Sequence, residues 1–193
     1  MTPLHRLITN WVYGGTLAGV LLLTLTPILT QGWPLSATLV FLTLPAYMFH
    51  QWEEHDADRF RQFVNREIAN GKEALTLADV FVINVVFVWF LLAAVLWLIR
   101  AAHPGWGLIA AWLVLINGAA HAGLAIAMRK PNPGLYSGTI LFLPLGAAAL
   151  ITTAPLATLL QHILSPLIVI ALHAAILIKV AHARKAPPGK TPL

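Results

Sequence analysis

No cysteine occurs in the 193 residues, which excludes disulfides and thiolate chemistry and leaves nitrogen and oxygen as the only ligands for a metal. Charge is almost as scarce. Charged residues make up 10% of the chain, only seven of them acidic, and 59% of it is hydrophobic. A soluble domain carries about 25% charged and about 45–50% apolar residues, so this composition is that of an integral membrane protein. The formal charge of +5 does not point to nucleic acid, because Lys and Arg sit at the ends of apolar runs, as in membrane proteins. A signal peptide is also excluded as the reading of the first apolar run. That run is too long, and Thr30-Gln31-Gly32-Trp33-Pro34 follows it instead of a small-residue cleavage site.

What is present is a set of six runs, each long enough for a bilayer that needs about 17–25 residues per helix. They cover Trp11 to Leu29, Leu35 to about Trp52, Leu77 to Ile99, Trp106 to Met128, about Tyr136 to Thr153, and about Leu159 to Ala181. The expected fold is all-α, one six-helix transmembrane domain over 1–182 with a disordered basic tail over 183–193. With both termini cytosolic, Arg6, Arg59, Arg61, Arg66, Lys72, Arg129, Lys130, Lys179, Arg184, Lys185 and Lys190 fall inside and only Arg100 outside. Eleven against one is the positive-inside asymmetry, and the expected location is a bacterial cytoplasmic membrane. Between the second and third spans, residues 53–70 read as a cytosolic or interfacial helix, with Phe60, Phe63, Val64 and Ile68 at helical spacing. Asn70-Gly71 reads as its stop, and Thr76 with Asp79 as a capping box for the next helix.

The acidic residues are concentrated. Phe49 to Asp58 holds Glu53, Glu54, Asp56 and Asp58, four of the seven, together with His50 and His55. A charge at membrane depth costs about 3 kcal/mol on insertion scales, so such residues need a partner, a metal or a wet cavity. On a regular helix with His50 at 0°, Glu53 falls at about −60°, Glu54 at about +40° and Asp58 at about +80°, while His55 and Asp56 point away. Asn117 and His121 are four apart on another span, and His121, His173 and Asp79 lie at a depth similar to that of His50 below the same basic surface, with Asn84 and Asn117 one turn deeper. The expected metal set is therefore His50, Glu53, Glu54, His121 and His173, for a divalent Zn, Fe or Mn. Glu53 is placed as a ligand or general base, and Asp58, Asp79, Asn84, Asn117, Asn132 and Tyr136 complete the candidate polar layer. Other readings stay open: charges meeting solvent at a helix end, a proton or cation path, and helix-packing hydrogen bonds. Asp79 also reads as a cap.

His50-Gln51-Trp52-Glu53-Glu54 resembles the motif that names the HXXEE-domain membrane proteins. That family's Tyr-Asn-Pro-Gly element has its counterpart in Pro131-Asn132-Pro133-Gly134, with Tyr136 two residues beyond the glycine. The resemblance runs from the second span onward. It implies a polytopic membrane protein whose motif residues act together, and no particular reaction. Read locally, Asn-Pro-Gly is a turn into the fifth span. The residues point first to a metal-dependent membrane hydrolase or oxidoreductase acting on a lipid-soluble substrate. A small transporter or channel using the same carboxylates, and a structural subunit, are the alternatives; oligomeric state leaves no mark in the sequence.

Overall fold

The computed structural model describes residues 2–185, all of it helix, turn or loop with no strand among the described residues. Six long helices are joined by short connections: α1 (Pro3–Leu29), α2 (Leu35–His55), α4 (Leu77–Ala101), α5 (Pro104–Met128), α6 (Leu135–Leu156) and α7 (Leu159–Lys185), with a short α3 over 59–68 after α2. Five of the six long helices are apolar and long enough to cross a bilayer. The exception is α2, whose last turns carry His50, Gln51, Glu53, Glu54 and His55. It packs against four of the other five long helices, α1, α4, α5 and α6. Of the expected tail, residues 183–185 continue α7 and the remainder lies outside the described residues.

The residues explain the boundaries. Thr2 caps α1, accepting from the His5 N–H at 3.2 Å, with Pro3 in the first turn where its missing N–H costs nothing. The turn into α2 passes through Gly32 at φ 74°. At the other end of α2 the chain does not continue as a regular helix. Ala57 and Asp58 adopt φ of 52° and 61°, and this left-handed step re-aims the backbone into α3. Asp58 consequently leaves the face expected of it and accepts from Arg61 Nε at 2.9 Å. Asn70 and Gly71, at φ 57° and 81°, stop α3 as expected. The capping box at α4 is complete: Thr76 Oγ1 accepts from Asp79 N at 3.1 Å, and Asp79 Oδ2 accepts from Thr76 N at 2.9 Å.

Two apolar clusters fill the interior. Val40, Tyr47, Val95, Leu113, Phe142 and Val169 bring α2, α4, α5, α6 and α7 together in the middle of the bundle. Trp11, Phe63, Val64, Leu75, Val80 and Val180 pack α1, α3, α4 and α7 at the end where the charged residues collect. Helices in lipid are held by close packing more than by hydrophobic transfer, and α5 and α6 cross closely. A Cβ on Gly118 would stand 2.5 Å from the Gly138 carbonyl, and one on Gly146 2.6 Å from Leu115.

Polar ties close the charged end. Asn65 Oδ1 accepts from the N–H groups of Ala74 and Leu75, both at 2.9 Å, fastening the loop before α4. Lys179 donates to Asp79 at 2.6 Å and Lys130 to Glu67 at 2.8 Å, and the Lys130 ammonium holds the Glu67 carboxyl below its usual range. Deeper in the bundle, Gln51 donates to Asn84 Oδ1 at 2.9 Å and accepts from Trp89 Nε1 at 2.6 Å, pinning α2 to α4. Asn84 thus serves this tie, with its own amide donating to Val80 O at 2.9 Å.

Candidate metal centre between α2, α5 and α6

His50 and Glu54 stand one turn apart on the last two turns of α2, and His121 faces them from α5. The exposures are 0%, 6% and 7%, so none of the three is solvated to any extent. One ligand atom from each lies within 4.8 Å of the others. His50 Nε2 is 3.5 Å from Glu54 Oε2, and His121 Nε2 is 3.5 Å from Glu54 Oε1.

The hydrogen bonds on the far side of each ring decide what these nitrogens carry. Asn132 Nδ2 donates to the His121 carbonyl at 2.8 Å, which turns its Oδ1 toward His121 Nδ1, also at 2.8 Å. An amide oxygen only accepts, so Nδ1 of His121 carries a proton, which in a neutral imidazole leaves Nε2 as the nitrogen with the lone pair. His50 is set the same way. Its Nδ1 lies 2.8 Å from Ser137 Oγ, and the single Ser137 hydroxyl proton is directed to the Glu53 carboxylate. Ser137 therefore accepts from His50 Nδ1–H, and His50 Nε2 also presents a lone pair.

Two imidazole Nε2 atoms and a carboxylate thus converge in a buried space. His50 Nε2 has no hydrogen-bond partner, and a distance of 3.5 Å exceeds the roughly 2.7–2.9 Å of a charge-assisted hydrogen bond. It is close to the ~3.3–3.4 Å that separates two donors each about 2.0–2.1 Å from a tetrahedral ion. The group has the composition and spacing to hold a metal ion, and Ser137 and Asn132 stand where the orienting partners of metal-bound histidines stand.

The turn before α6 shapes this geometry. Pro131-Asn132-Pro133-Gly134 passes over both imidazoles, and a Cβ on Gly134 would stand 2.6 Å from His121 Cε1 and 2.8 Å from His50 Cε1. Gly134 has φ 90°, so both its backbone and its lack of a side chain are required there. It leaves α6 without a side-chain cap of its own. Glu53 of α2 supplies one instead, accepting from Tyr136 N at 3.1 Å and Ser137 N at 2.7 Å. On the side of the group away from the 131–134 turn, Phe142 lies 4.4 Å from the His50 ring and 4.6 Å from Tyr47, centroid to centroid.

The structure thus brings together His50, Glu54 and His121 of the expected set. Glu53 is turned to the α6 N-terminus, with both oxygens occupied. His173 lies outside the group, its Nδ1 2.9 Å from the Val169 carbonyl of its own helix. Asn132 enters as the holder of His121 and Tyr136 through its backbone alone, its side chain being 62% exposed. Asn117 Oδ1 is buried without a partner. Asp58 and Asp79 belong to the ties described above.

Sequence reasoning misses His55 and Ser137. A regular helix points His55 away, yet its Nε2 is buried 3.1 Å from Glu54 Oε2, out of line for a hydrogen bond. It ends α2 at φ −112°, so the regular-helix angle does not apply to it. Ser137 has a legible signal only in its place, three residues past the Asn-Pro-Gly turn.

Compared with known proteins, residues 41–149 match the family described as "Protein of unknown function with HXXEE motif". No curated protein and no solved structure was found to be similar. The matched segment begins within α2 and ends within α6, and so contains all three residues of the group with both of their orienting partners.

Proposed function

Since the chain belongs to the HXXEE-motif family, whose name carries no reaction, its chemistry must come from its own residues, and we propose that it is a metal-dependent membrane enzyme acting on a lipid-soluble substrate. In this reading His50, Glu54 and His121 hold one divalent ion. The observation that carries it is the buried His50 Nε2, which lacks any hydrogen-bond partner and faces Glu54.

Two imidazoles and one carboxylate suit Zn, Fe or Mn and leave coordination positions open. An ion there supplies Lewis acidity toward a water or carbonyl, or, as iron, a place for O2. The chain's own residues do the rest. Ser137 and Asn132 keep both Nε2 lone pairs aimed inward, and Glu53 holds Ser137 in place, acting as a positioning residue in preference to a base. Tyr47 and Phe142 shut the side of the group away from the 131–134 turn, which favours chemistry at this site over passage of an ion through it. The distribution of Lys and Arg supports a centre on the cytosolic side with both termini cytosolic.

Elemental analysis of the detergent-purified full chain tests the reading. One Zn, Fe or Mn per chain is expected in wild type, and loss of it in both His50→Ala and His121→Ala. A folded wild-type protein that retains none of the three metals after reconstitution overturns it.

A further inference from the structure

A lipid-soluble substrate has to approach a centre enclosed by helices, and a groove on the face of α1 lies close to it. A groove of about 590 Å³ runs between α1 and α4, within the roughly 300–1,000 Å³ range of ligand pockets. Arg6, Asn10, Trp11, Gly14 and Ala18 line it from α1, and Trp89 from α4. The space a Cβ on Gly14 would enter is open, whereas one on Gly15 would meet the Trp89 ring at 2.7 Å. The groove is thus open along one edge and floored by Trp89 along the other.

Its chemistry is graded. Arg6 and Asn10 stand at one end and the rest is apolar. The arginine ion pairs among the described residues engage Arg59, Arg61 and Arg66, which leaves the Arg6 guanidinium free of a carboxylate there. Twelve residues separate Arg6 from Ala18, about 18 Å of helix, or roughly one leaflet's share of a ~30 Å hydrocarbon core. A transmembrane helix from another chain would have to follow the whole core, whereas the chain of a lipid in one leaflet matches this length and polarity.

The inner wall is one ring thick. Trp11 packs edge-on to Trp89 at 5.7 Å and lies 5.3 Å from the His55 ring, centroid to centroid, and His55 Nε2 is 3.1 Å from Glu54 Oε2. We propose that this groove binds the acyl chain of a lipid with a net-anionic headgroup, the headgroup meeting Arg6; the Asn10 amide is already spent on Arg6 O at 2.9 Å and Thr9 Oγ1 at 3.0 Å. Its role as the substrate's approach to the metal centre rests on the proposed function; binding itself does not.

Acyl-brominated phosphatidylglycerol and phosphatidylcholine, titrated into the detergent-purified full chain, test it through quenching of tryptophan fluorescence at Trp11 and Trp89. Saturable quenching is expected at about fivefold lower concentration for phosphatidylglycerol, the weight of one basic residue on an anionic lipid. Arg6→Gln, at an exposed position, should abolish that preference. Gly14→Leu should remove the saturable component by filling the groove, while Gly123→Leu, at another helix position open to a side chain, should leave it intact. Equal quenching by the two lipids in wild type, or a preference unchanged in Arg6→Gln, overturns the proposal even where Gly14→Leu does not fold. Repeating the titration on His50→Ala protein separates the two readings: quenching that persists without metal upholds the groove whatever becomes of the metal centre.

Discussion

Asn132 holds His121 at two points, accepting from its ring nitrogen and donating to its carbonyl, both at 2.8 Å. One side chain from the turn before α6 therefore fixes the rotation and the protonated nitrogen of a histidine on α5. Replacing it with Ala should weaken metal binding about 10–100-fold while the bundle still folds, as read by competition against a chromogenic chelator. Asn132→Asp retains an acceptor for Nδ1 and should recover part of the loss. An Ala variant with wild-type affinity would show that the ring is held by packing alone.

Glu53 answers two N–H groups at the start of α6. Glu53→Ala should lower stability by about 1–2 kcal/mol, as loss of a helix cap does, and Glu53→Gln by less because one acceptor remains. Thermal unfolding in detergent gives the ranking. Metal stoichiometry near wild type in the Gln variant, with a lowered melting temperature, would fit a positioning residue; complete loss of metal would make Glu53 a ligand after all.

Gly134 should tolerate no side chain. With φ at 90° and two imidazole carbons within 2.8 Å of where a Cβ would stand, Gly134→Ala combines backbone strain of about 1 kcal/mol or more with displacement of both rings. The expected result is lost metal together with a lowered melting temperature. Retention of both would mean that the turn is looser than its contacts imply.

Lys179 and Asp79 form a pair that is partly exposed, so Lys179→Ala should cost no more than about 1 kcal/mol. Asp79→Ala should cost more, since it removes the capping box with the ion pair. Urea or thermal unfolding of the two variants side by side checks the order, and equal costs would locate the whole effect in the salt bridge.

Much of this is legible from pattern. Apolar runs mark the long helices, Thr76 and Asp79 mark the start of α4, and shared depth brings His50, Glu54 and His121 to one level. Depth says nothing about azimuth, and that is why His173 can stand at the right height and still face its own helix. Glu53 and Glu54 are adjacent in sequence and about 100° apart around α2, so one reaches α6 and the other the histidines. His55 escapes because the helical wheel assumes a regular helix, and α2 ends at that residue. The roles of Ser137 and Gly134 arise from a contact between α2 and α6 that no local periodicity encodes.

All three residues of the buried group lie before position 122, whereas Asn132 and Ser137, which set the protons on both rings, follow it. During synthesis from the N-terminus, the histidines are complete before anything exists to choose their tautomers. The group is therefore completed late: until the turn at 131–134 closes and α6 docks, neither imidazole has the partner that orients it. In the metal-enzyme reading, a truncation before residue 131 that keeps His50, Glu54 and His121 would still lack both orienting partners and should bind metal more weakly.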